Sequence, residues 1–335
     1  MGLQISEIVP KTEISIESLS GKTLAVDAFN TLYQFLTTIR QPDGTPLMDR
    51  KGRVTSHLSG LFYRTTNLMS KGLNLVFVFD GKAPEQKEKT HEIRREMKEK
   101  AMAGFETAET IDERAKYASR ISFLSKEMIN ESKELLDALG IPIIQAPGEG
   151  EAQASYLASK GDVYAVASQD YDSLVFGAPK LVQNLTLARK RKLASGLSVP
   201  INPEMIELDK VLETLQISHE QLICLGILVG TDYNPKGVKG IGQKTALKIV
   251  KEHKTPEKIF SEVAKEKPVD FDWKEIIGLF KKPNITKDYS IKFKKVNDEK
   301  VGEILREHDF SEDRVKGALK RVYAVKEAKK QRTLF

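Results

Sequence analysis

The sequence has a single cysteine, Cys224, and a single tryptophan in 335 residues. One cysteine cannot form an internal disulfide, so the fold requires no oxidising compartment. No apolar run reaches the roughly 20 residues of a membrane-spanning helix, and the N-terminal residues lack the charged-then-apolar order of a signal peptide. These absences exclude a disulfide-stapled scaffold and a membrane protein, and they predict an intracellular protein.

Charge, by contrast, is abundant and unbalanced. Charged residues make up 30 % of the chain, and the formal net charge is +6. Ordinary domains contain about 25 % charged residues, and a basic excess favours a polyanionic partner. Apolar residues make up 40 % of the chain, which is enough for a sizeable core.

Four segments have the near-continuous apolar runs that are typical of strands buried on both faces. Long helical stretches separate them, which is typical of a mostly parallel central sheet with helices on both faces. The predicted fold class is therefore α/β. The four segments are KTLAVDAF from Lys22, LNLVFVFD from Leu73, IPIIQAP from Ile141 and DVYAVASQD from Asp162.

The connection between the second and third predicted strands is about twice as long as a crossover helix requires. Residues 82–130 are therefore predicted to form an insertion. Between Lys82 and Lys126 there are 11 basic and 9 acidic residues, so a solvated, salt-bridged helix is an alternative to a functional surface. After Lys126 the apolar spacing predicts an amphipathic helix that ends at Gly140.

Each predicted strand leads into one or two carboxylates at its C-terminal end. In a parallel sheet these ends meet at one edge, where ligands bind. One more acid follows the apolar helix predicted at Leu222 to Val229. The seven acids are Asp27, Asp80, Glu149, Glu151, Asp170, Asp172 and Asp232.

So many carboxylates in one cleft repel one another unless cations neutralise them. Seven oxygen donors exceed what one Mg²⁺ accepts from protein, so two ions about 3.5 to 4 Å apart fit better, as in phosphoryl-transfer enzymes. Each acid alone has an alternative interpretation as a helix cap or a loop contact. The convergence of four strand ends favours the metal site.

Six segments, in order along the chain, resemble the motifs of the flap endonuclease family. They are VDAFNTLYQFL, TSHLSGLFYRT, FVFDGKAP, APGEGEAQASYLA, SQDYDSLVFG and GTDYNPKGVKGIGQKTAL. The resemblance implies a structure-specific nuclease that cuts branched DNA at the base of a 5′ flap in replication and repair, and that also has 5′-3′ exonuclease activity. It also implies two Mg²⁺ ions, for which Mn²⁺ substitutes.

The resemblance further assigns the acids to the two ions. Four of them, Asp27, Asp80, Glu149 and Glu151, are expected nearer one ion, and the other three nearer the second. The insertion is expected to form a helical arch, in which Lys87 and Arg94 match the family's catalytic basic pair. Tyr33 resembles the family's base-stacking tyrosine, although a core aromatic is the alternative.

Other residues match positions at which the family contacts DNA. The segment GVKGIGQKT is almost a P-loop, but Gln243 occupies the lysine position and no strand precedes it, so a helix-hairpin-helix within residues 215–260 is the better interpretation. The family resemblance implies a bound K⁺ ion there, and a plain structural turn is the alternative. The predicted DNA contacts are Gly2, Arg40, Thr55, Arg64, Gly240, Gly242, Lys244 and Lys248.

The C-terminal residues resemble an incomplete sliding-clamp (PCNA) motif, with Leu334 three residues after Gln331 but without the aromatic pair. We expect one nuclease domain over residues 1–325 with a basic tail at 326–335, a monomer, an archaeal source and a cytoplasmic or nucleoid location. Two other functions stay open: a sister 5′ nuclease acting on gaps, bubbles or RNA, and a non-catalytic branched-DNA binder or clamp accessory.

Overall fold

The computed structural model describes residues 3–41, 43–82, 87–107, 110, 117, 124–186, 190–192 and 198–332. The strands are β1 (Thr12–Glu13), β2 (Thr23–Asp27), β3 (Asn74–Phe79), β4 (Ile143–Gln145), β5 (Ala165–Ala167), β6 (Lys180–Gln183), β7 (Lys190–Lys192), β8 (Ser198–Pro200) and β9 (Glu204–Glu207). Strands β7 and β8 form a separate antiparallel pair.

The helices surround this framework in chain order. They are α1 (Ala28–Thr38), α2 (Ser56–Met69), α3 (Glu88–Thr107), α4 (Lys126–Ala138), α5 (Gly150–Ser159), α6 (Asp172–Val175), α7 (Leu208–Leu215), α8 (His219–Val229), α9 (Gln243–His253), α10 (Pro256–Glu266), α11 (Trp273–Lys281), α12 (Asp298–Glu307) and α13 (Glu312–Arg332).

The central sheet has the strand order β1-β9-β6-β5-β2-β3-β4. The five strands from β6 to β4 are parallel to one another, whereas β9 is antiparallel to both β6 and β1. Strands β2 to β5 are the four that the sequence predicts, so the α/β class and the mostly parallel sheet are confirmed. Strands β1, β6 and β9 at the other edge were not predicted.

Strand β3 illustrates why the sheet is covered on both faces. Leu75, Phe77 and Phe79 belong to one apolar core, whereas Val76 and Val78 belong to the other. Alternate side chains point to opposite faces of a strand, so a continuous apolar run supplies both cores. The first core lies against α1, α2, α4, α12 and α13, and the second lies against α5 to α11.

Helix α4 begins and ends where its sequence predicts. The Ser125 side chain accepts a hydrogen bond from the Met128 amide, which caps the N-terminus. Gly140 follows the helix with φ of +73°, a conformation that costs glycine little. Helix α3 lies in the predicted insertion, before α4.

Helices α8 and α9 form the predicted helix-hairpin-helix and contact each other. Ser218 and Gln221 form a capping box at the start of α8. The turn between the helices contains Gly237 at φ +53°, where an added Cβ would lie 2.4 Å from the carbonyl oxygen of Val229. Only glycine lets the chain return this closely along α8.

Candidate active site

The C-terminal ends of β2 and β3 place Asp27 and Asp80 beside each other. Asp27 is the last residue of β2, Asp80 follows Phe79, and the two strands are paired in parallel. Oδ1 of Asp27 also accepts a hydrogen bond from the Asn30 amide at 3.0 Å. Asp27 therefore caps α1 and also faces the site. The helix-cap role, which the sequence offered as an alternative, exists here beside the role in the site.

The first turn of α5 brings Glu149 and Glu151 to the same edge. The Gly150 amide donates a hydrogen bond to Oδ1 of Asp80 at 2.7 Å. A Cβ on Gly150 would lie 2.4 Å from that oxygen, so the glycine permits the close approach of helix and carboxylate. Helix α5 and Asp80 thus fix each other's position.

The loop after β5 adds the next two acids. One oxygen each from Glu151, Asp170 and Asp172 lies within 4.8 Å of the others. The family resemblance groups Glu151 with Asp27, Asp80 and Glu149, but in the structure its carboxylate lies with Asp170 and Asp172. Glu151 therefore lies between the two expected groups.

Asp232 comes from the turn after α8 and reaches the site together with Lys87. Nζ of Lys87 lies 3.2 Å from Oδ2 of Asp232 and forms a second ion pair with Glu149. The adjacent Tyr233 is buried, and its hydroxyl donates a hydrogen bond to Oε2 of Glu149 at 2.8 Å. The structure thus brings the sequence-predicted acids together in one cluster. We call this set the acid pit: Asp27, Asp80, Glu149, Glu151, Asp170, Asp172 and Asp232.

Burial and mutual repulsion raise the pKa values of four carboxyls in the acid pit: Asp27, Asp80, Glu151 and Asp172. Burial, followed by the charge of Asp80, raises the pKa of Asp27 to about 7. Burial, followed by the charge of Asp170, raises the pKa of Glu151 and that of Asp172 well above the usual range. Both effects disfavour the ionised form. Ionising these carboxyls together therefore costs free energy that the surrounding residues do not offset.

Lys87 offsets part of this charge. Burial lowers its pKa, but the neighbouring Glu149 and Asp232 carboxylates outweigh burial and the net shift is upward. Its positive charge also opposes the burial-driven rise in the pKa of Asp80. For Tyr233, burial and then the Glu149 charge raise the pKa, so its hydroxyl stays protonated and remains a donor.

The acid pit fits divalent cations. Carboxylate oxygens are the donors that Mg²⁺ and Mn²⁺ prefer, and the 4.8 Å limit on the Glu151, Asp170 and Asp172 oxygens is slightly wider than the ~4.2 Å across one Mg²⁺ ion. Oδ1 of Asp172 is buried and accepts no hydrogen bond from any residue that the structure describes. A cation would satisfy this atom and relieve the repulsion.

The other predicted residues lie outside the acid pit. The Tyr33 side chain is 42 % exposed on α1, so it is not a core aromatic. The Arg40 guanidinium donates to the carbonyls of Thr37 and Gly44, and Arg64 lies over the Phe35 ring at 5.8 Å. Thr55 is buried immediately before α2.

The helix-hairpin-helix presents its predicted residues to solvent. Gly240 has φ of +77°, and Gly242 caps the N-terminus of α9. Lys244 is exposed and forms an ion pair with Glu7 at 3.1 Å, and Lys248, one turn later, is also exposed. Gly2 and Leu334 lie outside the described residues, and the described side chains do not include those of Arg94 or Gln331.

Sequence reasoning missed the residues that hold the acids in place. There are three of them: Gly150, Ser168 and Tyr233. The Gly150 amide and the Tyr233 hydroxyl each donate to one acid, and the Ser168 hydroxyl contacts two. The segment GEGEA did signal that a residue without a side chain separates two acids. Serine and tyrosine carry no comparable signal, because their roles depend on contacts between distant segments.

Among the described residues, none of the helices combines the length and the apolar composition needed to span a bilayer.

Comparisons with known proteins agree with the geometry. The XPG N-terminal domain model matches residues 2–101, and the XPG I-region model matches residues 140–232. The curated flap endonuclease 1 of Pyrococcus abyssi is 53 % identical over 339 aligned residues, covering 100 % of this chain and 97 % of that protein.

Solved structures extend the comparison. Flap endonuclease-1 from Methanococcus jannaschii matches with a TM-score of 0.78 and 45 % identity, covering 98 % of this chain and 100 % of that one. The catalytic core of Rad2 in complex with DNA substrate matches at 0.70 with 22 % identity, covering 93 % and 96 %, a likeness of fold alone. The archaeal relatives from Pyrococcus abyssi and Methanococcus jannaschii agree with the expected source. The chain belongs to the flap endonuclease family of structure-specific, metal-dependent nucleases.

Proposed function

We propose that the acid pit holds two Mg²⁺ ions, with Mn²⁺ as a substitute, and that the chain uses them to cleave branched DNA at the base of a 5′ flap. The observation that carries the proposal is the convergence of seven carboxylates at one sheet edge with Lys87 as their paired cation. When bound, the ions supply Lewis acidity toward the scissile phosphate and its attacking water.

The protein's own residues then position the substrate and stabilise developing charge. Lys87 reaches the acid pit from the start of the insertion and pairs there with Glu149 and Asp232, so its ammonium would be available to a phosphate bound at the acid pit. Arg94 follows seven residues later, on α3, which begins directly after Lys87. Seven residues are close to two helical turns, a spacing that favours the same side for both residues. We assign Lys87 and Arg94 to charge stabilisation on the phosphate.

Tyr33 is the proposed platform for an unpaired base. It lies six residues after Asp27 on α1, about 9 Å along the helix axis from the acid pit. Its partly exposed ring offers a surface on which a base of any sequence stacks. This placement supports selection by strand geometry, because stacking does not distinguish one base from another.

The helix-hairpin-helix is proposed to hold duplex DNA behind the cut. Free amides at the start of α9 and the exposed Lys244 and Lys248 suit a phosphate backbone without reading sequence. K⁺ at this turn stays a prediction. Arg40, Thr55 and Arg64 are proposed to contact DNA on the other side of the branch, as is Gly2.

The C-terminal tail is proposed as a weak clamp contact. Helix α13 extends through Gln331 to Arg332, so this motif begins on a helix. Binding to a clamp, a monomeric state, a single nuclease domain with its arch insertion, and a nucleoid location remain predictions.

A cleavage assay on a substrate panel tests the proposal. Purified protein is given a 5′ flap, a gapped duplex, a bubble and a single-stranded RNA, each with Mg²⁺ or with EDTA. We expect preferential cleavage of the 5′ flap with Mg²⁺, and no cleavage but retained flap binding with EDTA. Preference for the bubble, the gap or RNA would favour a sister nuclease, and binding without cleavage would favour the non-catalytic alternative.

A further inference from the structure

Ser168 lies among the carboxylates of the acid pit although it is not an acid. It follows β5 directly and is 4 % exposed. Its hydroxyl Oγ lies 3.0 Å from Oε1 of Glu151 and 3.3 Å from Oδ2 of Asp27, and both are hydrogen-bond contacts. The Asp170 amide donates to the same oxygen at 3.1 Å.

These contacts join three acids from separate parts of the chain. Asp27 ends β2, Glu151 lies in the first turn of α5, and Asp170 belongs to the loop after β5. A hydroxyl has one hydrogen and two acceptor lone pairs, so Oγ can meet an amide donor and a carboxylate at once. A single buried oxygen atom is therefore a hydrogen-bond partner that the three acidic residues share.

Without the Ser168 hydroxyl, the hydrogen bonds that hold these residues at a fixed spacing would be lost, and the carboxylates could move apart. Burial raises the pKa of both Asp27 and Glu151. The charge of Asp80 adds to the rise at Asp27, and the charges of Asp170 and Asp27 add to the rise at Glu151. Removing the hydroxyl would also leave the Asp170 amide without the acceptor it has in the structure. Both effects would widen the group of ligand oxygens.

We infer that Ser168 is a positioning residue that fixes the spacing of Asp27, Glu151 and Asp170 and thereby sets the affinity and selectivity of the acid pit for divalent ions. This rests on the proposed function only in taking these three acids as metal ligands. Outer-shell hydrogen bonds around metal ligands contribute about 10- to 100-fold to affinity. Mg²⁺ requires nearly ideal octahedral geometry, whereas larger ions tolerate wider spacing.

The test measures metal binding by calorimetry, without DNA and without turnover. Mg²⁺ and Ca²⁺ are titrated separately into the full chain and into Ser168→Ala, Ser168→Thr and Ser132→Ala. Ser132 is a matched control, because it is fully buried but donates only to the Met128 carbonyl in α4. Circular dichroism and thermal unfolding confirm that each variant is folded.

We expect Ser168→Ala to bind Mg²⁺ about tenfold or more weakly, with a smaller loss for Ca²⁺. Ser168→Thr retains a hydroxyl and should recover most of the affinity, and Ser132→Ala should match the wild type. If Ser168→Ala does not fold, Ser168→Cys, which is nearly isosteric but a poor donor, carries the same comparison.

Two results would overturn the inference. One is Mg²⁺ affinity in the Ala or Cys variant within twofold of the wild type. The other is an equal loss in Ser168→Thr and Ser168→Ala, because the hydroxyl would then not be the cause. Failure of the wild type to bind either ion would instead contradict the proposed metal site, so the two hypotheses are distinguishable.

Discussion

The acid pit and the helix-hairpin-helix both face the expected DNA, but they are built in opposite ways. In the acid pit, Asp27 and Asp172 are each 5 % exposed and held by fixed neighbours, whereas the side chain of Lys244 on α9 is 77 % exposed. A buried charge has strong interactions that depend on small displacements, while an exposed lysine is screened and mobile. In the proposed function, catalysis therefore depends on the buried region, and binding of the duplex depends on the exposed one.

Removing one carboxylate from the acid pit should have the largest effect. Asp172→Asn is expected to lower kcat on a 5′ flap by about 10³-fold, because metal ions contribute several kcal/mol to the transition state. Binding of the flap in EDTA should be unchanged. The control is Asp270→Asn, which changes an exposed aspartate and should cleave at the wild-type rate. A loss below tenfold would remove Asp172 from the ligand set.

Lys87 is the basic residue of the acid pit, which it reaches from the insertion. Lys87→Ala is expected to lower kcat about 10²-fold through lost charge stabilisation, with KM nearly unchanged. Single-turnover kinetics on a 5′ flap separate these quantities. Lys210→Ala removes an exposed lysine paired with Glu207 and serves as the control. An equal loss in DNA affinity and rate would make Lys87 an electrostatic contact only.

Substituting one glycine in each region tests how well that region tolerates an added methyl group. Gly150→Ala places a methyl group 2.4 Å from the Asp80 carboxylate, whereas an added Cβ at Gly242 meets nothing within 4 Å. We expect about a tenfold loss of kcat in Gly150→Ala, by analogy with other disturbances of ligand-orienting contacts. Gly242→Ala should keep the wild-type kcat at saturating DNA. Equal activity in both variants would mean that the acid pit tolerates displacement.

The pH dependence of stability should also separate the acid pit from the exposed surface. The pKa of Asp27 rises from 3.8 to about 7 on folding, so between these values the folded chain retains a proton that the unfolded chain releases. In EDTA, its contribution to the free energy of unfolding is therefore present at pH below 3.8 and lost as pH rises through 7.

Asp27→Asn removes this titration. Urea unfolding is measured at pH 4, 5.5 and 7 in EDTA. The free energy of unfolding of the variant should rise relative to that of the wild type as pH increases, by up to a few kcal/mol. Saturating Mg²⁺ should reduce the difference, because the ion stabilises the ionised carboxylate. Parallel pH profiles in EDTA would contradict the raised pKa.

The smallest effect is expected at the exposed lysines. The double variant Lys244→Ala/Lys248→Ala should weaken flap binding only about three- to tenfold at 0.1 M salt, and should lower the slope of log K against log salt by about 2. The kcat at saturating DNA should be unchanged. The double variant Lys210→Ala/Lys258→Ala removes two exposed lysines elsewhere and so matches the change in net charge. An unchanged salt slope would exclude phosphate contacts from these lysines.

How far the sequence predicts each part depends on the range of the interactions involved. Strands β2 to β5 were predictable because their apolar runs and β-branched residues are local signals. Strands β6 and β9 contain four residues each, and pairing with neighbours distant in the chain makes them strands. The rule for parallel sheets placed the acids at one edge, but it specified no distances.

The sequence by itself determined the α/β class, the identity of the acids and their placement at the ends of successive strands. It did so because strand periodicity and chain direction are encoded locally. Only the tertiary structure decided that Glu151 lies with Asp170 and Asp172, that Lys87 pairs with Glu149, and that Ser168 lies among the acids. Those contacts join segments far apart in the chain, and folding alone sets their distances.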